Sequence, residues 1–127
     1  METVSVLAGT RFGDVRAFAE REAPEGLVVY LEASEDAALD VARHLWRTRL
    51  AGWFDHATAV LIGRTRGPDS DGFTQTDAVR SALGDLGIPV VLDVDCGHVP
   101  PHLALVNGAR AEVVVDGPIQ RITQTLR

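Results

Sequence analysis

The chain has 127 residues, a net charge of −6, a single cysteine, 46% apolar residues and 24% charged residues. These values are typical of one globular domain with a hydrophobic core, and the acidic balance argues against nucleic acid as the main partner, because phosphate binding needs a basic face. One cysteine excludes an internal disulfide, no apolar run reaches bilayer length, and the short acidic N-terminus is unlike a signal peptide, so we expect a cytoplasmic protein without membrane contact.

The start of the chain carries the weakest structural pattern. Residues 3–7 are apolar and β-branched, and they fit either a strand or a short helix. The segment Val15–Glu22 fits a helical turn, and residues 23–26 form a clear break. The apolar run Leu27–Leu31 that follows predicts a buried central strand, with Glu32 at its carboxyl end.

A long amphipathic helix is predicted next. Ser34 is suited to cap its first amides, two acidic residues follow, and Gly52 is suited to end it. The apolar residues at helical spacing include Ala38, Val41, Ala42 and Leu45. We expect Trp46 and Trp53 to be core or interface aromatics, and His44 to be structural.

Two further strands complete a parallel layer. Ala57–Gly63 follows the helix, and the order strand, helix, strand predicts a βαβ unit with a right-handed crossover. The polar loop of residues 64–72 then lies on the side of Glu32, where its arginines are placed to meet an anionic substrate. A second helix, capped by Thr74 or Thr76 and ended by Gly87, leads to a third strand, Val90–Val94.

The last part of the chain has a different character. Residues 102–106, 109–115 and 119–123 are rich in β-branched side chains and are separated by Asn107-Gly108 and by residues 116–118. Asn-Gly is a strong signal for a two-residue hairpin turn. We therefore predict an α/β fold in which a parallel βαβαβ layer is followed by a small antiparallel hairpin layer.

The third strand runs into a polar tip, residues 93–98, that ends at His98. Gly97 allows a sharp turn before the histidine, and two prolines hold the following segment extended. Functional groups gather at the carboxyl ends of parallel strands, so we expect Glu32 and His98 at the same edge. A carboxylate that orients a histidine base is two-thirds of a catalytic triad, and the sequence contains no G-x-S-x-G motif to supply the nucleophile.

The residues alone leave two alternatives open at this tip. Cys96, two positions before His98, offers a thiol nucleophile, although neighbours along a strand point to alternating faces. Asp93, Asp95, His98 and His102 offer metal ligands, although their spacing matches no strong metal-binding pattern.

Four segments, in their order and spacing, resemble the C-terminal domain of the L,D-carboxypeptidase family of serine peptidases. They are the run Leu27–Leu31 with Glu32, the acid-capped helix continuing to residues 50–54, the strand at residues 59–63, and the Ile88-Pro89 strand that ends in Gly97-His98. The family includes murein tetrapeptide carboxypeptidases and microcin C immunity peptidases. The resemblance covers nearly all of the chain and implies a swivelling β/β/α domain.

The resemblance also implies roles for individual residues. The glutamate of the family's Ser-Glu-His triad falls on Glu32 and the histidine on His98, whereas the serine lies in a separate N-terminal domain that is absent from residues 1–127. Two departures stand out: Ala33 replaces a second acid, and Val106-Asn107 replace a proline before Gly108.

The expected function follows from this resemblance. Residues 1–127 form one domain, the C-terminal catalytic half of a carboxypeptidase, which is inactive alone and uses neither cofactor nor metal. Its expected partners are the serine-bearing domain, a small peptide or peptidoglycan fragment, and a second copy in a homodimer. The alternative is a stand-alone, non-catalytic binding or oligomerisation domain that keeps Glu32 and His98 as structure.

Overall fold

Three parallel strands and two helices build the centre of the fold in the computed structural model, which describes residues 1–126. The elements in chain order are α1 Glu2–Ser5, α2 Val15–Glu22, β1 Leu27–Leu31, α3 Ala38–Leu50, β2 Ala57–Gly63, α4 Gln75–Leu83, β3 Val90–Val94, β4 Arg110–Asp116 and β5 Ile119–Thr125. Within residues 1–126, no helix is long and apolar enough to cross a membrane.

The sheet confirms the predicted α/β fold, with one change of strand position. Strands β1, β2 and β3 are parallel and adjacent in that order, and β4 and β5 form a separate antiparallel pair. The prediction that Leu27–Leu31 is the central strand is wrong, because β2 is central and β1 is an edge strand with mostly half-buried residues. An apolar run shows that a strand is covered and does not show on how many sides it is paired.

Helices α3 and α4 cover one face of the parallel sheet. The buried side chains that form this core include Val41 and Leu45 of α3, Val60 and Ile62 of β2, and Val79 and Leu83 of α4. Each such side chain stabilises the fold by about 1.5–3 kcal/mol relative to an exposed one. Leu61, which points to the opposite face, borders a cavity of about 530 Å³ together with Val113 and Ile122 of the hairpin, so the hairpin lies over the second face.

Helix α3 begins later than predicted. Its first residue is Ala38, after the cap position Ala37, which makes no side-chain capping bond. The carbonyl of Pro68, in the loop after β2, instead accepts the N–H of Ala38 at 3.0 Å. Ser34, the predicted cap, instead accepts the N–H of Arg66 at 3.0 Å with its backbone carbonyl. Residues 34–37 therefore lie outside the helix, against the loop after β2.

Helix α4 begins as one of the two predictions stated. Thr74 is its cap, and Thr74 and Asp77 form a reciprocal capping box in which each side chain accepts the other residue's N–H at 3.0 Å. The helix ends at Leu83 with Gly84 at the C-cap, so the predicted end at Gly87 is wrong.

The N-terminal segment resolves into a short helix, α1, and the predicted helix α2. A bond of 2.8 Å between Ser5 Oγ and His44 Nδ1 attaches α1 to α3, which is the structural role predicted for His44. Trp53 is buried and donates to the carbonyl of Gly13 at 2.9 Å. Trp46 is partly exposed below the guanidinium of Arg49, so it is not a core residue.

The hairpin turn lies elsewhere than the Asn-Gly signal indicates. Asp116 pairs with Ile119, which leaves Gly117-Pro118 as the two-residue turn, with a positive φ of 54° at the glycine. Asn107-Gly108 forms a turn before β4, and residues 102–106 contain no strand. The Asn107 side chain accepts a bond of 2.8 Å from Tyr30 Oη, a tertiary contact that the local sequence does not reveal.

Candidate active site

The carboxyl ends of the three parallel strands carry the polar groups of the candidate site. Glu32 directly follows β1, Arg64 directly follows β2, and the tip that contains His98 follows β3. Because the strands are parallel, these groups meet at one edge of the sheet, as the sequence predicts.

Glu32 and His98 are in direct contact at this edge. The imidazole Nδ1 lies 2.6 Å from Oε1 of Glu32, and the His98 backbone N–H lies 3.4 Å from Oε2. The Glu32 side chain is 19% exposed and the His98 side chain 72%. A carboxylate at Nδ1 favours the tautomer that carries its proton there, which leaves Nε2 as the free proton acceptor on an accessible ring.

A bulge in β3 precedes this contact. Leu61 pairs with Val91, whereas Gly63, two residues on, pairs with Val94, three residues on, so β3 contains one extra residue. Asp93 lies in this bulge with a φ of 57°, a left-handed conformation that costs energy for every residue but glycine, although less for aspartate than for most. Bulges bend the strand that contains them, and this one lies where β3 enters the tip. Nothing in the sequence pattern revealed it.

Two glycines enclose the Glu32 side chain. A Cβ at Gly97, whose φ is 97°, would lie 2.5 Å from Cγ of Glu32. A Cβ at Gly63 would lie 2.8 Å from Cβ of Glu32 and 2.5 Å from the carbonyl oxygen of Cys96. Gly97 therefore serves both the turn that the sequence predicted and the close approach of Glu32, and Gly63 was missed because it reads as an ordinary strand end.

The thiol alternative has no support in the structure. Cys96 is only 3% exposed. Burial, with smaller effects from the negative charges of Glu32 and Asp95, raises the pKa of the Cys96 thiol above its ordinary value. A nucleophilic cysteine needs the opposite, an accessible sulfur with a lowered pKa.

The metal alternative also lacks the necessary geometry. Within residues 1–126, no three His, Cys, Asp or Glu side chains converge as metal ligands would. Asp95 instead lies 2.7 Å from the Arg64 guanidinium. Arg64 thus turns toward the tip, where the carbonyls of Val99 and Pro101 also accept bonds from it, and the prediction that the arginines of this loop meet an anionic substrate stays a prediction.

Ser5 is brought close to a histidine and is nevertheless no nucleophile. Its Oγ lies 2.8 Å from Nδ1 of His44 and donates to the carbonyl of Glu2 at 2.9 Å. Nε2 of His44 lies 4.0 Å from Asp36 Oδ2. Ser5 is fully buried, so no substrate reaches it. Its bond to His44 instead holds α1 against α3.

Comparison with known proteins agrees with this architecture. A family model described as the LD-carboxypeptidase C-terminal domain matches residues 1–113. The structure of muramoyltetrapeptide carboxypeptidase from Oxalobacter formigenes is similar with a TM-score of 0.77 and 21% identity, over 95% of this chain and 41% of that one. At that identity the likeness shows the fold.

A second solved structure is similar over a shorter stretch. The microcin C7 self immunity protein MccF, in an inactive mutant apo state, matches with a TM-score of 0.54 and 26% identity, over 60% of this chain and 23% of that one. The chain thus spans less than half the length of either protein. A search of curated proteins returned no match.

Proposed function

Because this chain belongs to the LD-carboxypeptidase C-terminal domain family, we propose that it supplies the glutamate and the histidine of a Ser-Glu-His triad to a serine carboxypeptidase. The observation that carries the proposal is the 2.6 Å contact between Glu32 and an exposed imidazole of His98. The serine comes from a second domain outside residues 1–127, so the chain is inactive alone.

The proposed mechanism uses the free nitrogen of the imidazole. A serine hydroxyl attacks the scissile carbonyl carbon while Nε2 of His98 takes its proton, and the Glu32 carboxylate stabilises the imidazolium that forms. The amide C–N bond then breaks and the leaving amine receives that proton. A water molecule next attacks the acyl-serine ester, with His98 again as base, and releases the acid and the serine.

The proposed substrate is a short peptide or a peptidyl conjugate with a free C-terminus. The identities of the two similar structures, a muramoyltetrapeptide carboxypeptidase and a microcin immunity protein, support this class. A murein tetrapeptide or another peptidoglycan fragment is the first candidate. Cleavage of peptidoglycan fragments inside the cell fits a cytoplasmic enzyme. We extend the proposal to a homodimer in that compartment.

The test combines the chain with a serine-bearing domain and measures release of the C-terminal residue from a muramoyl tetrapeptide. We expect turnover by the combination and none by the chain alone. His98→Ala abolishes it in this scheme, whereas His102→Ala, a change at an exposed histidine nearby, leaves it intact. Full activity of His98→Ala would refute the assignment of the base.

The same experiment distinguishes the proposed peptidase function from the alternative of a non-catalytic domain. A stand-alone binding or oligomerisation domain gives no turnover with any serine-bearing domain, and its Glu32→Gln and His98→Ala variants lose stability without any catalytic readout. Turnover that depends on His98 excludes that reading.

A further inference from the structure

We propose that Arg64 is a positioning residue, which holds the loop that carries His98 against the Glu32 carboxylate. This loop comprises residues 95–101, here the His98 loop, and follows edge strand β3, whereas Arg64 follows central strand β2. The structural part of the inference depends only on contacts within this chain, and its effect on turnover rests on the function proposed above.

One guanidinium group contacts the His98 loop on both sides of the histidine. Nη2 of Arg64 lies 2.7 Å from Oδ1 of Asp95, which precedes His98. The same nitrogen donates to the carbonyl of Val99 at 3.1 Å and to that of Pro101, both after His98. Only 27% of the Arg64 side chain is exposed, so these charge-assisted bonds form largely out of water, where they are strongest.

The base of the Arg64 side chain is fixed to the sheet. Its backbone N–H donates to the carbonyl of Val94 at 3.1 Å, which continues the pairing of β2 with β3. Its Nε is buried and finds no hydrogen-bond partner within residues 1–126, an unfavourable arrangement that the Nη2 contacts must outweigh. The guanidinium therefore extends from the central strand to the His98 loop.

The position of the His98 ring depends on the loop backbone, because the residue makes few hydrogen bonds of its own. The His98 side chain is 72% exposed, and within residues 1–126 its hydrogen bonds are both to Glu32. Those bonds orient the ring only when the loop backbone brings it within reach. Fixing the loop at Asp95, Val99 and Pro101 provides that condition.

Arginine suits this task better than lysine does. The rigid guanidinium plane fixes where Nη2 lies relative to its three acceptors, whereas an ammonium is a compact charge on a flexible stem. We therefore expect Arg64→Lys to keep the ion pair with Asp95 and to lose carbonyl contacts. Its effect should fall between wild type and Arg64→Ala.

The test is NMR spectroscopy of the 127-residue chain, with Arg66→Ala as the matched control. Arg66 is exposed, and no bond or ion pair of its side chain occurs among the described residues. We expect Arg64→Ala to speed amide exchange at His98 by about tenfold or more and to convert a fixed Nδ1–H tautomer into a mixture. Arg66→Ala should match wild type.

Two results would overturn the proposal. The first is an Arg64→Ala protein with wild-type exchange and wild-type tautomer at His98. The second applies if circular dichroism shows that Arg64→Ala does not fold, in which case the same NMR measurements are made on the Arg64→Lys protein. A wild-type His98 signal in a folded Arg64→Lys protein overturns the proposal, and faster exchange with mixed tautomers supports it.

A kinetic arm separates this inference from the proposed function. With the serine-bearing domain present, Arg64→Ala should lower kcat by about 10- to 100-fold with KM nearly unchanged, because misplacing the base affects the transition state more than binding. An inactive wild-type combination with an altered Arg64→Ala NMR signal refutes the function and keeps the positioning role. An active combination with unchanged NMR signals refutes the positioning role alone.

Discussion

Gly97 approaches Glu32 so closely that a Cβ on the glycine would lie 2.5 Å from Cγ and from Oε2 of the glutamate. The Glu32 side chain thus occupies the space that a side chain at position 97 would need. The turn that presents His98 therefore requires a glycine at that position.

Gly97→Ala should therefore destabilise the fold and break the Glu32–His98 contact. A positive φ costs about 1–2 kcal/mol for alanine, and the overlap with Glu32 adds to it. Urea unfolding gives the stability, and His98 NMR signals report the contact. Gly108→Ala is the control, since Gly108 has a φ of 81° and nothing within 4 Å of its Cβ. Equal losses in both variants would show that backbone strain alone acts at Gly97.

Asp93→Gly should raise stability slightly and keep the bulge, because the residue already has a φ of 57°. The strain energy relieved in the folded chain exceeds the free-energy cost of the glycine's greater freedom in the unfolded chain by up to about 1 kcal/mol. Asp93→Val should lose about 1–3 kcal/mol and shift the His98 resonances. Asp71, exposed with a φ of 48°, provides the matched pair of variants outside β3 and the His98 loop. Asp93→Val with unaltered His98 resonances would contradict a role of the bulge in directing the tip.

Cys96 should resist alkylation in the native chain. Because burial raises the pKa of its thiol, the thiolate needed for reaction is scarce and covered. We expect iodoacetamide to react at least about a hundredfold more slowly than in the urea-unfolded chain, since reaction awaits local opening. The raised pKa also means that the contribution of Cys96 to stability is complete below the thiol's ordinary pKa and is lost as the pH rises through the folded value. Rapid native alkylation at neutral pH would contradict this account.

Thr74→Ala should remove the capping box of α4 and cost about 0.5–2 kcal/mol in urea unfolding. Thr76→Ala is the control within the same turn, because Thr76 is exposed and does not cap. If Thr76→Ala lowered the free energy of unfolding as much as Thr74→Ala does, the assignment of Thr74 as the cap would be wrong.

Stability should also fall in acid through two carboxylates. Hydrogen bonds from Thr74 lower the pKa of Asp77, and a hydrogen bond from Arg49 lowers the pKa of Asp85. A lowered folded pKa gives stability that is complete above the unfolded value, about 3.9, and is lost as the pH falls through the folded value. Urea midpoints measured down to acid pH should show this loss, and Thr74→Ala and Arg49→Ala should each flatten it. Identical acid profiles in all three proteins would rule these bonds out as its source.

The sequence was most informative where local pattern decides structure. Leu27–Leu31, Ala57–Gly63 and Val90–Val94 are strands with the predicted bounds, because each is an apolar run between turn signals. Their parallel order then places Glu32 beside His98. Local pattern failed where distant backbone groups decide, as at the start of α3, which the Pro68 carbonyl caps, and at Asn107, which Tyr30 holds. The inward turn of Arg64 depends on carbonyls of the His98 loop, which no spacing rule reveals.

The position of Glu32 and His98 on the two edge strands has a consequence for folding. The residues are 66 positions apart, and their side chains meet across the end of the central strand, where Gly63 leaves room. Closing so long a segment is entropically costly, so the pair forms only once both helix crossovers have brought the strands together. A nascent chain that has not yet completed β3 has the glutamate without its histidine. The pair is therefore an indicator that the parallel sheet has assembled.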